Sequence, residues 1–252
     1  MSWGSRRKML YAFVVGVLAL ALLIVVLWKF ISHTPTCFDG IQNGAETGVD
    51  CGGSCVKICN NITQKPVVLW AKSFRTNSNT VTAAAYIQNA NAGMHAGSYG
   101  VRYAFRLYDD NNLLIMERDG IINIPPQNTV PIVEPNIVVG DRVVAHTFFD
   151  FFSSELYWVK IPADSQPSTH VINQLLSTDG THLSATIVND GLSDIKNLTL
   201  IATLFDASGE AVASSKSLLS DVGAGGSHQV VFTWSKPSNP VRAEIITVPA
   251  LL

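Results

Sequence analysis

The hydrophobic pattern divides the chain into one long apolar run and many short ones. Residues 9–28 contain no charge, and a helix of that length covers about 30 Å, the thickness of a bilayer hydrocarbon core. Beyond residue 65, short apolar runs rich in Val, Ile, Thr and aromatic residues are separated by Asn, Asp, Gly or Pro clusters, which is typical of β-strands. The pattern therefore predicts one membrane-spanning helix followed by an all-β ectodomain.

The flanks of the apolar run predict that it is retained as a signal anchor. A cleaved secretory signal has a shorter apolar region followed by a small-residue cleavage site, and no such site follows Trp28. The basic residues 6–8 precede the run and no acidic residue occurs before Asp39, which favours a cytoplasmic N-terminus. We expect a single-pass protein of the cell membrane, with a cytoplasmic tail at 1–8, an anchor at 9–31 and an extracytoplasmic remainder.

The strand pattern occurs twice in the ectodomain. Ala85-Tyr-Ile-Gln-Asn89 aligns with Ala185-Thr-Ile-Val-Asn189. Phe105-Arg-Leu-Tyr-Asp109 aligns with Ala202-Thr-Leu-Phe-Asp206. Each half contains six predicted strands, at a spacing typical of a β-sandwich. In the first half they begin with Val67–Arg75 and end with 156–161, and the second half includes His182–Asn189. The sequence therefore predicts two tandem copies of one fold.

The repeat also sets the expected domain boundaries. A small cysteine-rich module is expected at 32–65, followed by the first sandwich at 66–161 and the second at 169–252. Residues 162–168 form a short linker that contains prolines, as linkers between domains often do. The first sandwich carries an additional stretch at 135–152 that the second one lacks.

Aromatic residues in and after this additional stretch are candidates for an interaction surface. They are Phe148, Phe149, Phe151, Phe152, Tyr157 and Trp158. In an extended segment successive side chains alternate, so Phe149 and Phe151 point to one side and their neighbours to the other. One side packs on the core, and we expect the other to contact the second domain, a protein partner or a second copy of the chain. The alternative is a two-sided core, where aromatic residues are commonly found.

All cysteines lie close together in the predicted exported region. They are Cys37, Cys51, Cys55 and Cys59. Structural zinc sites usually contain paired C-x2-C knuckles, whereas this spacing is C-x13-C-x3-C-x3-C, and exported thiols oxidise. We therefore predict two disulfides, and three connectivities remain open.

Oxygen-bearing side chains recur between the first two cysteines. They are Asp39, Asn43, Glu46 and Asp50, with glycines interspersed that let the backbone turn sharply. Such hard oxygen ligands around a compact turn are what a structural calcium site needs. The alternative is that Asp and Asn cap turns through their own side chains. No other cofactor is expected.

Two resemblances extend this interpretation. Residues 37–55 resemble a short D-G-x-x-N-G-x-E-T-G-x-D-C-G-G-x-C motif found beside or between domains of bacterial surface and secreted proteins, and partly resemble thrombospondin type 3 calcium repeats without their upstream D-x-D. Phe105-Arg-Leu-Tyr-Asp109 resembles the signature of the FxLYD family of bacterial envelope proteins, and Leu204-Phe-Asp206 is a shorter copy. That resemblance implies two tandem immunoglobulin-like β-sandwiches without catalysis, and the whole chain resembles single-pass surface proteins of small-genome bacteria.

Composition and motifs narrow the function classes. The 17 basic and 19 acidic residues give a net charge of −2, so no strong field attracts nucleic acid. The six histidines are scattered without an H-x-x-x-H pair, and the G-x-S-x-G, G-x-x-x-x-G-K-[ST] and strand-linked G-x-G-x-x-G motifs are absent from the sequence, so we predict no enzyme.

Three function classes remain. The first is a membrane-tethered, non-catalytic module of the cell envelope that binds a protein partner or itself. The second is a carbohydrate or cell-wall binder, for which Trp70, Tyr99, Tyr157 or Trp158 would stack on sugar rings. The third is an accessory subunit of a larger envelope complex, assembled through its span.

Overall fold

The computed structural model describes residues 3–31, 36–153, 156–235 and 237–250. The chain divides into two compact units, Met1–Cys55 and Val56–Leu252. Residues 32–35, the start of the predicted cysteine-rich module, lie outside the described residues, as do the chain ends 1–2 and 251–252.

The first unit begins with one long helix, α1 (Trp3–Ile31). Its segment Arg7–Trp28 is long and apolar enough to cross a membrane, and none of it is buried against protein. Apolar side chains on every face of such a helix are stable only in an apolar surrounding. The helix confirms the predicted apolar span and is compatible with a membrane anchor or a signal sequence.

Strands make up most of the second unit. They are β1 (Val67–Arg75), β2 (Thr80–Gln88), β3 (Ala96–Tyr108), β4 (Leu114–Ile124), β5 (Thr129–Val138), β6 (His146–Phe151), β7 (Trp158–Lys160), β8 (Thr169–Leu176), β9 (His182–Asn189), β10 (Ile195–Phe205), β11 (Ala211–Val222), β12 (Ser227–Thr233) and β13 (Arg242–Val248). We call β1–β7 the first lobe and β8–β13 the second lobe. The mostly β architecture confirms the expected fold class at that level.

Each lobe contains two antiparallel sheets. In the first lobe the strand orders are β1-β2-β5 and β4-β3-β6, with β7 pairing with the beginning of β3. In the second lobe the orders are β8-β9-β12 and β11-β10-β13. Strand by strand, β1–β6 therefore correspond to β8–β13. Among the described strands, only β7 has no counterpart in the other lobe.

The two sheets of the first lobe share one hydrophobic core. Phe105 and Leu107 of β3 are fully buried in the same cluster as Ala85 and Ile87 of β2. The spacing of two residues in both strands places these side chains on one face of each sheet. The inward positions of β3 alternate with polar outward positions such as Arg106.

The second lobe has a core of its own. Leu183, Ala185 and Ile187 of β9 alternate with half-exposed residues. They share a cluster with Leu200 and Ala202 of β10. Ala202 takes the place that Phe105 has in the first lobe, because each lies four residues before the Asp that opens the next turn. The two cores are therefore filled by different side chains on the same strand framework.

The buried side chain of Asn89 makes hydrogen bonds that stabilise the end of β2. Asn89 is 2% exposed, and its Nδ2 donates to the carbonyl oxygens of Ala96 at 2.9 Å and Pro125 at 3.0 Å. Its Oδ1 accepts the backbone N–H of Asn91 at 2.9 Å. The side chain thereby satisfies backbone groups at a sheet end that would otherwise be buried without partners.

Asn189 does the same at the end of β9. It is 1% exposed, and its Nδ2 donates to the carbonyl oxygens of Val222 and Gly223, each at 3.0 Å. Its Oδ1 accepts the N–H of Gly191 at 2.9 Å. The alignment of residues 85–89 with 185–189 thus matches two residues with the same structural role.

The aligned aspartates also have one role. Oδ1 of Asp109 accepts backbone N–H groups two and four residues later, at 3.0 and 2.8 Å. Oδ1 of Asp206 does so at 2.9 and 3.0 Å. Each carboxylate closes the turn between two hairpin strands, which is a common use of Asp at the start of a turn. The motif Phe105-Arg-Leu-Tyr-Asp109 is therefore the end of a strand whose side chains point alternately into the core and outward, followed by the Asp that begins the turn.

The additional stretch at 135–152 has a different place from the one expected. β5 continues to Val138, and β6 pairs with β3 as β13 pairs with β10. β6 is thus the regular sixth strand of the first lobe. The strand expected as sixth, 156–161, is the short β7, which pairs with the first residues of β3 and with residues 56–58.

The two lobes pack through one sheet from each. β2 is buried at every residue from Val81 to Ile87, so both faces of its sheet are covered. Tyr86 donates from its hydroxyl to Oγ1 of Thr203 on β10 at 2.8 Å. Ile201 of β10 belongs to the first lobe's core cluster. Sheet β11-β10-β13 therefore lies against the outer side of sheet β1-β2-β5.

Candidate interaction surface and cysteine-rich module

The outer side of sheet β4-β3-β6 carries both polar and aromatic side chains, and we call it the aromatic face. Cross-strand register puts the following side chains on it: Arg102, Arg106, Tyr108, Glu117, Asp119, Ile121, His146, Phe148, Asp150 and Phe152. Phe148 is 55% exposed and Ile121 is 69% exposed. Apolar side chains of this size on an open sheet are typical of a contact surface.

Arg106 organises the centre of the aromatic face. Its Nε donates to Glu117 on β4 at 2.7 Å, and its Nη1 donates to Asp150 on β6 at 3.1 Å. The hydrogen bond that Arg106 donates to Glu117 raises the pKa of Arg106 further above its usual value. Such half-exposed ion pairs add little stability, but they fix a planar guanidinium across three strands. Arg106 is thus paired on both sides, with one carboxylate on each neighbouring strand.

Aromatic rings flank this ion network. Tyr108 and Phe148 make an edge-to-face contact with ring centroids 5.6 Å apart. The Arg102 guanidinium lies 5.0 Å from the ring centroid of Phe152. Tyr, Phe and Arg are enriched at protein interfaces, because they bury much area at a small cost in conformational entropy. The arrangement can bind a protein surface.

Four of the six candidate aromatic residues do not lie on this face, and three of these four pack wholly or partly into the core. Phe149 is 5% exposed and Trp158 is 2% exposed, both within the first lobe's core. Phe149 stacks on Tyr103 with centroids 5.3 Å apart, and Phe151 packs partly buried against the same cluster. The alternation of Phe148 to Phe152 is as the sequence predicts, but these three residues serve packing and are not accessible to a partner.

Tyr157 is exposed on the β7 side of the lobe. It is 53% exposed, and Nζ of Lys57 lies 5.8 Å from its ring centroid. Lys57 bridges to Val159 of β7, and Ile58 donates its N–H to the carbonyl of Trp158 at 2.9 Å. Residues 56–58 therefore extend the sheet beyond β7.

The four aromatic residues proposed for sugar stacking are separated. Trp70 stacks on Tyr86 with centroids 4.5 Å apart, beside the contact between the lobes. Trp158 is buried, while Tyr99 and Tyr157 are 40% and 53% exposed. A sugar platform built from these residues would use the two tyrosines alone.

The cysteine-rich module is oxidised throughout. Cys37 and Cys55 form a disulfide with Cα atoms 5.7 Å apart. Cys51 and Cys59 are disulfide-bonded as well, and the described part of the chain holds no free cysteine. The module therefore contains disulfides rather than thiolate ligands for zinc.

The candidate calcium ligands of the module make hydrogen bonds within it, mostly to backbone N–H groups. Both carboxylate oxygens of Asp50 accept the N–H of Gly40, at 3.1 and 3.0 Å. Asp39 accepts Nδ2 of Asn43 at 2.9 Å, and this hydrogen bond is the main reason that the pKa of Asp39 is lowered. Oε2 of Glu46 accepts two backbone N–H groups at 3.4 and 3.3 Å. The residues fit turn capping, and calcium would have to displace these N–H groups.

A second grouping in the module has no ligand chemistry. The Cys37, Glu46 and Cys55 side chains place one potential ligand atom each within 4.8 Å of one another. Both sulfurs belong to the disulfide, so neither is a thiolate. Oδ1 of Asn43 is buried and accepts no hydrogen bond in the described part of the chain.

A cleft of about 400 Å³ opens where the lobes meet. Most of its lining is apolar, from β4, β5, β10, β11 and β13, with Glu134 and Lys216 as its charged residues. Tyr103 donates to Oε1 of Glu134 at 2.6 Å, and burial, followed by this carboxylate, raises the pKa of Tyr103. Tyr103 crosses over Gly120, where an added Cβ would lie 2.3 Å from Cζ of the ring.

Sequence reasoning missed the ion network and the cleft. The alternation of β3 was a usable signal for Arg106, which lies between the buried residues Phe105 and Leu107. The sequence of β4 held no such signal for Glu117, because its neighbours Met116 and Arg118 are both exposed. The cleft had no such signal, because it is formed by residues of both lobes that are far apart in the chain.

Comparisons with known proteins give no family. No protein-family model matches the chain, and no curated protein sequence matches it. A calcium-binding domain structure, CBD12 of CALX1.1, is similar with 11% identity and a TM-score of 0.23, over 68% of this chain and 75% of that chain. A β-glucuronidase of glycoside hydrolase family 2 is similar with 10% identity and a TM-score of 0.19, over 86% of this chain and 29% of that chain. Both TM-scores are below 0.5, so neither similarity carries an argument about this chain.

Proposed function

We propose that the chain is a single-pass, membrane-anchored protein of a bacterial envelope whose extracytoplasmic lobes are two tandem immunoglobulin-like β-sandwiches. In this proposal it is a non-catalytic module that binds a protein through the aromatic face. The equal strand orders, the paired roles of Asn89 and Asn189, and the paired turns at Asp109 and Asp206 support the tandem repeat.

The orientation follows from charge and redox chemistry. Basic residues precede the span, which favours a cytoplasmic N-terminus. Disulfides persist in oxidising compartments outside the cytoplasm, and all four cysteines follow the span as disulfides. Both features support an extracytoplasmic ectodomain.

One observation carries the functional proposal: the aromatic face is open, while the corresponding face of the second lobe is covered. Phe148 and Phe152 remain about half exposed there, at 55% and 48%. On the second lobe, the position that corresponds to Phe152 is Val248, which is 7% exposed. An uncovered surface with large rings around a neutralised arginine is what a protein-binding sheet requires.

Cross-linking in the native membrane tests this function. The intact chain is cross-linked and the attached proteins are identified by mass spectrometry, for the wild type and for the Phe148→Ser/Phe152→Ser variant. We expect a reproducible protein cross-link from the aromatic face that the variant loses, with an unchanged melting temperature.

The matched control is Val138→Ser/Val143→Ser. These valines are 60% and 71% exposed and do not lie on the aromatic face. The control should keep the cross-link. Equal cross-linking in all three proteins, or a large fall in the melting temperature of the phenylalanine variant, would contradict the proposal. Binding to peptidoglycan that depends on Tyr99 and Tyr157 would favour the carbohydrate alternative instead.

The calcium hypothesis has its own test. Asp39→Asn/Asp50→Asn should abolish any calcium-dependent rise in melting temperature, because both carboxylates would be ligands. The absence of such a rise in the wild type would leave only the turn-capping role that the hydrogen bonds indicate.

A further inference from the structure

The contact between the lobes joins two unlike surfaces. The second lobe contributes the outer side of sheet β11-β10-β13, and the first lobe contributes the outer side of sheet β1-β2-β5. Ile201 and Val248 of the second lobe are 2% and 7% exposed and belong to the first lobe's core cluster. Gln127 donates to the carbonyl of Thr247 at 3.0 Å across the same contact. The contact is therefore heterologous, between one kind of sheet and the other.

The equal strand orders leave a free copy of each surface. Sheet β4-β3-β6 corresponds to the sheet that the second lobe uses for docking, and its outer side is the aromatic face. Sheet β8-β9-β12 corresponds to the sheet that receives it, and we call its outer side the receiving face. Ile172 and Val231 on this face are 40% and 58% exposed. One chain thus displays both halves of a contact that it already makes internally.

The register identifies the corresponding positions on the receiving side. Trp70 pairs with Tyr86 as Ile172 pairs with Thr186. In the same way, Val133 pairs with Ala84 as Val231 pairs with Ser184. The internal contact buries Val133 to 1% exposure and Ala84 to 0%. Their counterparts on the receiving face are small, uncharged or aliphatic, and they suit close packing against a sheet.

The aromatic face supplies the corresponding docking positions. Phe152 takes the place of Val248, which is 7% exposed, whereas Ile121 takes the place of Leu218, which is 62% exposed and lines the cleft. The charges in its centre belong to Arg106 and its two carboxylate partners. Because Arg106 is already paired with both carboxylates, excluding water from this network costs less than burying isolated charges would.

We infer that a second copy of this chain docks with its receiving face on the aromatic face of the first copy, repeating the contact between the lobes from chain to chain. This inference rests on the proposed function, since it names the partner of the same face. A heterologous contact that does not close on itself generates an open row of molecules. The expected assembly is therefore a head-to-tail row of ectodomains rather than a two-fold dimer.

The test uses the full-length chain, purified in detergent, with mass measured by light scattering over a range of concentrations. Three variants are compared: Phe148→Ser/Phe152→Ser on the aromatic face, Ile172→Ser/Val231→Ser on the receiving face, and the control Val138→Ser/Val143→Ser. We expect wild type and control to grow beyond a dimer as concentration rises. Each face variant alone should self-associate at least about tenfold more weakly.

Mixing the two face variants distinguishes a heterologous contact from a symmetric one. An equimolar mixture of the two face variants retains one intact contact, so it should form a heterodimer and nothing larger. Self-association of the receiving-face variant at the wild-type level would overturn the inference, because it would indicate a symmetric contact through the aromatic face alone. A monomeric wild type would overturn it as well.

The proposed function is separated from the inference by the native-membrane cross-links. Loss of a cross-link to a different protein in the aromatic-face variant, with a monomeric wild type, would overturn the inference and leave the proposed function intact. If neither self-association nor any protein cross-link depended on Phe148 and Phe152, both would be wrong.

Discussion

The first and second lobes share a strand order but cover different sheets. The first lobe has its β1-β2-β5 sheet covered and its β4-β3-β6 sheet open. The second lobe has the reverse arrangement, with β11-β10-β13 covered and β8-β9-β12 open. One framework therefore produces two different exposed faces, and the side chains on each strand show which face is covered.

The sequence of β2 reflects that both faces of its sheet are covered. Residues 81–87 are buried on both faces and include three consecutive alanines, Ala83–Ala85. The corresponding β9 alternates between buried and half-exposed residues. Small side chains on both faces allow two sheets to approach one strand, whereas alternation is typical of a strand with one covered face. The residue pattern within each strand thus indicates whether one or both of its faces are covered, although the sheet that covers it is distant in the chain.

The largest expected effect concerns the residue that differs most between the cores. Phe105→Ala removes a fully buried ring that contacts Tyr103 and Phe149, so it should lower the free energy of unfolding by about 4 kcal/mol. Ala202→Phe, at the corresponding place, should cost about 2 kcal/mol through overpacking. Denaturant unfolding of the full-length chain in detergent measures both. A neutral Ala202→Phe would mean that the second core has room for a ring.

Replacing the two buried asparagines tests whether they contribute equally to the free energy of unfolding, as their matching positions suggest. Asn89→Ala removes the side-chain donor to the carbonyls of Ala96 and Pro125. Asn189→Ala removes the donor to the carbonyl of Val222, while the carbonyl of Gly223 keeps the N–H of Gly226. Each should lower the free energy of unfolding by about 2 to 3 kcal/mol. The same unfolding measurement applies, and a neutral result at either position would break the correspondence.

The hydrogen bond between the lobes should matter less. Tyr86→Phe removes the hydroxyl that donates to Thr203, while Thr203 keeps its contact with Ser214 at 3.1 Å. We expect a loss of about 1 kcal/mol with the packing of the ring preserved. The loss should appear in the unfolding midpoint, and a separation into two unfolding transitions would mean that this bond couples the lobes.

The smallest effect is a difference in acid sensitivity. Oδ1 of Asp179 accepts the Thr181 N–H in the second lobe, as Oδ1 of Asn77 accepts the Asn79 N–H in the first. Hydrogen bonds, first from the Ser177 hydroxyl, lower the pKa of Asp179 to about 2. A carboxylate with a lowered pKa stabilises the fold above its unfolded pKa of about 4 and loses this contribution as pH falls through the folded pKa.

Melting curves between pH 5 and about 2 check this prediction. Asp179→Asn should flatten the dependence of the melting temperature on pH. Asn77→Asp should steepen it by giving the first lobe the same titrating turn. Identical pH profiles for wild type and Asp179→Asn would contradict the assigned cause of the lowered pKa.

Local features of this fold were accessible from sequence, and long-range ones were not. The strands β1 and β9 have the predicted bounds, because apolar alternation and turn residues are both local signals. The inward direction of Phe149 follows from the same period. The burial of Trp158 does not, since it depends on β7 docking beside β3.

In the candidate site, too, local features could be predicted from the sequence and long-range contacts could not. Phe148 and Phe152 were expected to face outward, and they do. The ion network of Arg106 needed the register of three strands, and the pairing of Cys37 with Cys55 needed the folded loop. Cross-strand and cross-lobe partners are set by tertiary packing, which a linear pattern does not contain.

The segment between Cys55 and Cys59 protects one edge of a sheet. Residues 56–58 pair with β7 through the N–H of Ile58 and the carbonyl of Val56, at 2.9 and 2.8 Å. An exposed strand edge is a template for intermolecular pairing and amyloid growth. With this edge of β7 occupied by the chain's own backbone, the sheet is closed to edge-on aggregation there.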